Sequence, residues 1–213
     1  MVNTIAPFGF RQWRRLDGSP PTGGFEQLTI ASSDANLYFT GDPVCTSSAG
    51  PYVVGGSTIS GNGQIRGIFM GCEYYLPAIA RKTWQPYFPG SVLTSSGTLD
   101  AAAWVSTDPE MLWTVQCSTG QGGTTGSVIS ASYIGLNFGF SSGTSSMGNT
   151  LTGVSNVTLN SSSFATTNTL PFRLMDLYSN WVPPGQNGTD NTSLGNIVIV
   201  APNNWDRKNT TGI

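Results

Sequence analysis

The sequence predicts an all-β protein, an antiparallel β-barrel or β-sandwich with an extended N-terminal arm. Three observations carry this. Short runs rich in β-branched and aromatic residues recur along the chain, separated by Gly, Pro, Asn and Ser turn signals. Two of these runs alternate with a period of two. Helical periodicity is almost absent: the best candidate, "TLDAAAW", has a candidate Asp cap but is short and runs into the strand-like "WVS".

Residues 1–27 hold "APFGF" and "LDGSPPTGG", with Pro and Gly too dense for a helix or a long strand. They read as an extended arm, and 28–213 as a single all-β domain. "LTIAS", "NLYFTG" and "PYVVGGSTI" are strand signals. "QIRGIFMGCEYYLP" is a long apolar run in which Gly67 and Gly71 predict bulges or bends, as at barrel corners. "KTWQPYFPG" carries Pro86 and Pro89, so it belongs at an edge or in a surface loop. "EMLWTVQCS" alternates: Met111, Trp113, Val115 and Cys117 on the buried face, Leu112, Thr114 and Gln116 opposite, which predicts a half-buried strand. "SYIGLNFGF" places Ile134, Leu136, Phe138 and Phe140 on one face. A weak strand at "VSNVTL", then "LPFRLMDLY", the loop "VPPGQNGTDN" and "NIVIVAP" close the series, for about ten strands in all. There is no internal repeat.

The 213 residues suffice for one good core. Charged residues make up only 9%, against about a quarter in ordinary domains. Such a surface is built of hydroxyls, amides and backbone, and it suits close packing against neighbours as well as it suits an unusual soluble β-protein. The net charge of −2 argues against nucleic acid as a partner. No apolar run is long enough to predict a membrane-spanning helix, and "MVNTIAPFGF" lacks the pattern of a secretory leader, so synthesis in a cytoplasm is the expectation. Cys45, Cys72 and Cys117 are then reduced, buried thiols, and the sequons at Asn156, Asn160, Asn187, Asn191 and Asn209 are chance matches.

The chain has no histidine. That removes the His-dependent triads and the commonest zinc ligand, and no metal or other cofactor is expected. There is no phosphate-binding loop motif; "GQGGTTG" and "GGSTISGNG" read as hairpin loops. "NGTDNTS" supplies oxygens without the acid spacing of a calcium loop. A glycosidase needs two carboxylates, and Asp108 and Glu110 in "TDPEML" are the candidate pair. Asp-Pro is equally an ordinary turn opening, and no catalytic residue is assigned.

The cations and aromatics are more informative. Of nine Lys and Arg, Arg11, Arg14 and Arg15 fall within "PFGFRQWRR", interleaved with Phe8, Phe10 and Trp13. Arg and aromatic side chains are the strongest interface anchors. An arm that orders on binding needs concentrated anchors to offset its entropy. The alternative is a solvated tail or a segment packed on its own domain. A second block, "EYYLPAIARKTWQPYFPG", holds Tyr75, Arg81, Lys82, Trp84, Tyr87 and Phe88 as a candidate protein-contact surface. Tyr74 and Tyr75 point to opposite faces in a strand, so only one need enter the core.

"APFGFRQWRRLDGSP", "IRGIFMGCEYYLP" with "WQPYFPG", "DPEMLWTVQ" and "PFRLMDLY…NIVIVAPNNWDRKNTTGI" together resemble the head decoration (cement) proteins of tailed bacteriophages. The chain departs from that pattern at Gln12 and Trp13 and at Trp205. The resemblance implies a non-enzymatic virion protein on the outer surface of the capsid, often a homotrimer, whose partner is the major capsid protein and which bridges neighbouring capsid subunits. Phe8, Phe10, Arg11, Trp13, Arg14 and Arg15 would then be the arm's capsid contacts. The alternative function is a carbohydrate- or receptor-binding β-domain of a virion fibre, with Trp84 and Tyr87 as its platform.

Overall fold

A computed structural model of the chain describes residues 3–48, 50–55, 61–76, 79–90, 99–119, 126–141, 148–178 and 189–208. Most of "GQGGTTG", the central part of "GGSTISGNG", the loop over 182–188, Asn187, Asn209 and the terminal "TGI" lie outside the described residues. Short strands carry the architecture, and the described residues contain no α-helix, only a 3-10 turn at Ala131–Tyr133.

One sheet is built from β1 (Arg11–Arg15), β10 (Met111–Ser118), β11 (Asn137–Phe140), β14 (Leu159–Ala165), β15 (Phe172–Leu177) and β16 (Ile197–Pro202). Its order is β1-β10-β14-β11-β15-β16, and β16 returns to pair with β10. The five strands from β10 to β16 therefore close into a barrel. All its ladders are antiparallel except β10 with β14. Closure needs each strand to present alternate residues inward. Trp113, Val115 and Cys117 of β10 do so, with Phe138, Phe140, Leu159, Phe172, Leu174, Val198 and Val200 from the other strands.

The second sheet contains β2 (Glu26–Ile30), β4 (Pro43–Thr46), β5 (Val53–Gly55), β6 (Gly67–Leu76), β7 (Arg81–Gln85) and β9 (Ala101–Ser106). Its order is β2-β9-β6-β4-β5, with β7 on the length of β6 beyond β4. A bridge from Thr29 to Tyr52 brings its two ends together. Ile30, Val44, Phe69, Ala103 and Val105 fill its inner face, with Tyr38 of β3 (Tyr38–Phe39) and Phe88 of β8 (Tyr87–Phe88). "TLDAAAW" thus contributes the strand β9, whose small inward residues let this sheet curl tightly. The short hairpin of β12 (Gly148–Asn149) and β13 (Val154–Ser155) completes the set.

Of the two glycines in β6, Gly71 marks the expected bulge and Gly67 does not. Gly71 sits at a register shift against β9 with φ of 138°, and a Cβ there would stand 2.9 Å from the Trp84 ring. Gly67 is a close approach: its Cβ would lie 2.4 Å from the Ser106 carbonyl oxygen. Gly67→Ala is expected to cost about 1–3 kcal/mol by overpacking against backbone that cannot yield. A lower denaturation midpoint at constant m-value would register it.

Three expectations need correction. The N-terminal segment is not a free arm. Asn3 is buried and its side-chain amide donates to the carbonyls of Asp190, Ser193 and Leu194. Phe10 lies in the barrel core, and β2 already begins at Glu26. Next, β10 is buried on both faces rather than one. Gln116 on its outer side donates to the Thr4 and Gly195 carbonyls and accepts from the Ala6 N–H. Leu112 is covered together with Ile199, Ala201 and Tyr178. Finally, "SYIGLNFGF" forms a strand only from Asn137, after the 3-10 turn, so Phe138 and Phe140 point inward but Ile134 is exposed.

The two sheets meet at Thr40-Gly41-Asp42. Phe10 N–H donates to the Gly41 carbonyl at 3.0 Å, Gly41 N–H to Phe69 in β6 at 2.9 Å, and Ser155 N–H to Thr40 at 3.0 Å. The fully buried Asp42 carboxyl accepts from the Phe39 N–H and from the Ser155 hydroxyl. One three-residue turn therefore joins the N-terminal segment, the second sheet and the β12–β13 hairpin.

Candidate functional site

The six N-terminal anchors divide between holding the segment down and facing solvent. Phe10 is only 1% exposed and stacks on Phe172 with ring centroids 4.2 Å apart. It is a core residue and does not stand free for a partner. Arg15 pairs with Asp108, Nε to Oδ2 at 3.1 Å. The Arg11 guanidinium lies over the Phe8 ring at 4.7 Å. Trp13 packs edge-on against Tyr178 at 5.2 Å yet remains 40% exposed. It is the extra residue of a bulge, since Gln12 pairs with Trp113 and Arg14 already with Leu112. A bulge on an edge strand twists that edge away from casual pairing. Arg11 and Arg14 are exposed, and neither makes an ion pair among the described residues.

The second block is a hairpin in which the edge strand β7 pairs with the interior strand β6. Tyr74 faces the core and Tyr75 is half-buried on the opposite side. Phe88 is fully buried against Tyr38, and Tyr87 stacks on Phe39 at 5.7 Å. These two fill the structure rather than a contact surface, because β8 pairs with β3 and its rings stack on Tyr38 and Phe39. Arg81, Lys82 and Trp84 stay outside, Trp84 at 59% exposure. Lys82 faces Glu73 at 4.0 Å. Between the strands and the start of β9 lies a depression of about 90 Å³, lined in part by Glu73, Tyr75, Lys82, Leu99, Asp100 and Ala102.

The candidate acid pair is part of a turn. Asp108 accepts from the Glu110 N–H at 2.9 Å and binds Arg15, closing the turn between β9 and β10, while Glu110 is exposed. Glu26 joins Arg66 at 2.9 Å and Arg207 at 2.8 Å, and Asp206 reaches Arg66 at 3.7 Å. Burial opposes the Glu26 charge, but Arg66, a hydrogen bond from Thr107 and Arg207 together outweigh it and hold its carboxyl below the ordinary range. This cluster ties β2 to the chain after β16. Asp190 accepts from Thr192 and Ser193 in a local turn. No group of three or more metal-ligating side chains occurs among the described residues.

All three cysteines are free thiols. Burial pushes Cys45 up to about 11 and Cys72 up to about 12, and raises Cys117 further. They stay protonated at neutral pH, so none is a ready thiolate nucleophile.

Neither Tyr178, the outer cover for β10, nor Trp104 was legible as a surface residue: only once β9 is a strand do the inward Ala101, Ala103 and Val105 leave Trp104 on the outer face. The fold and these surfaces define an all-β protein with a closed barrel, a companion sheet and two exposed cationic-aromatic edges. No family model, curated protein or solved structure matches the chain.

Proposed function

We propose that the chain is a non-enzymatic virion protein, a decoration (cement) protein that binds the outside of a tailed bacteriophage head. It acts as a homotrimer, made in the host cytoplasm, and stabilises contacts between neighbouring major capsid subunits. The reading starts from the sequence resemblance and is supported by one structural observation above others. β1 ends the first sheet's order, with Arg11, Trp13 and Arg14 exposed along it. Guanidinium groups supply forked bonds to carboxylates, and an indole supplies apolar area.

The experiment is co-sedimentation with heads that lack the protein, counting bound copies per head. Saturation at a simple multiple of the shell's symmetry is expected. The double substitution Trp13→Ala with Arg14→Glu is expected to leave a folded protein and to weaken binding at least about tenfold. A folded wild-type protein that binds no head sinks the proposal.

A further inference from the structure

The outer face of the second sheet holds a feature that capsid binding does not require. Trp84 is mostly exposed although it lies in a strand. Its indole rests on Gly71, where any side chain would strike the ring. The glycine therefore allows the ring to lie along the sheet, and the φ of 138° keeps larger residues out. Trp104 pairs with Gly71 from the other side, and Glu73 pairs with Trp84 and Ala102. Trp84 and Trp104 thus flank Gly71 on one face of the sheet, beside the depression that Glu73, Tyr75, Lys82 and Asp100 help to line.

We infer that this face, Trp84 and Trp104 about Gly71 with Glu73, Tyr75, Lys82 and Asp100 beside them, is a binding site for a neutral glycan. The face of an indole is electron-rich and accepts the polarised C–H groups of a pyranose ring. Carboxylates and an ammonium group at its rim match a ligand whose hydroxyls both donate and accept. Lys82, the one cation on this face among the described residues, is matched by Glu73 at 4.0 Å, and Asp100 already accepts from the Ser32 N–H at 2.8 Å. No described cation is left to hold an anionic ligand, whereas hydroxyl groups can bond to this rim. The depression, at about 90 Å³, is too small to enclose a ligand. It takes one edge of a sugar whose face lies on Trp84. Tyr87 has no part in it, since its ring is stacked on Phe39. The inference stands whether or not the protein binds capsids.

The test screens the full chain on a glycan array, then titrates the best neutral oligosaccharide while following indole fluorescence. Binding at about millimolar affinity or tighter is expected. Trp84→Ala and Glu73→Gln should each weaken it by about tenfold or more with the thermal midpoint unchanged. The inference is overturned if no neutral glycan binds at millimolar concentration, or if a folded Trp84→Ala protein binds as well as wild type. Loss of head binding in Trp84→Ala without any glycan binding also overturns it, and assigns the face to a protein partner.

Discussion

Phe10→Ala is expected to destabilise the protein by about 3–5 kcal/mol, among the largest effects of any single substitution. Phe10 is buried in the barrel core, stacked on Phe172, which in turn packs against Phe140 and Trp205, both at 6.2 Å. Truncation removes apolar area and leaves a cavity in a ring cluster that strand pairing holds apart. Nearby Gly9 and Gly41 cannot take larger side chains to fill it, since a Cβ on Gly9 would meet Ser155 at 2.7 Å. Chemical denaturation of Phe10→Ala beside Trp13→Ala separates the two roles. The first should lose most of the stability and the second only a small part. Equal, small losses would mean that the segment is a detachable arm after all. Deleting residues 2–24 is expected to unfold the barrel, because it removes Phe10, β1 and the partners of Gln116 together. Such a deletion therefore cannot test capsid binding.

Asp42 is expected to dominate the pH dependence of stability. Burial pushes its carboxyl up to about 7, against the opposing effect of the Ser155 hydroxyl and the Phe39 N–H. The unfolded chain loses this proton in the ordinary carboxylate range near 4, while the folded chain keeps it to about 7. The folded state thus binds the extra proton between those values. This group's contribution is fully present below about 4 and is lost as pH rises through about 7. Asp42→Asn keeps the shape without the charge, so it should flatten the stability profile over that window. Thermal melts at half-unit pH intervals would show this. An unchanged slope in Asp42→Asn would place the titration elsewhere. Asp42→Ala should be far worse than Asn, because it strands two buried donors at about 1–3 kcal/mol each.

Strand identity was largely legible. Alternation in "EMLWTVQCS" named the four inward residues of β10, and Gly71 announced its bulge before any partner was known. Such signals are local: a side chain's face follows from the pleat, and a left-handed φ selects glycine. The candidate contact residues were less legible. Trp84, Arg81 and Lys82 stand outside as an edge block should, whereas Phe88 and Phe10 are buried. Their sequence neighbourhoods look alike, rich in Pro, Gly and aromatics. What separates them is whether another strand covers them.

The sequence by itself therefore determined an all-β chain, many of its strands and the inward face of β10. Tertiary structure alone decided that β10 is covered on both sides, that the N-terminal segment belongs to the barrel and that Trp84, Gly71 and Trp104 share one face. The physical reason is range. Arg11 meets Thr114 across 103 residues, and no local pattern records such a pairing. It follows only from closing the barrel, which selects the partner that covers the most apolar surface while satisfying the strand edge.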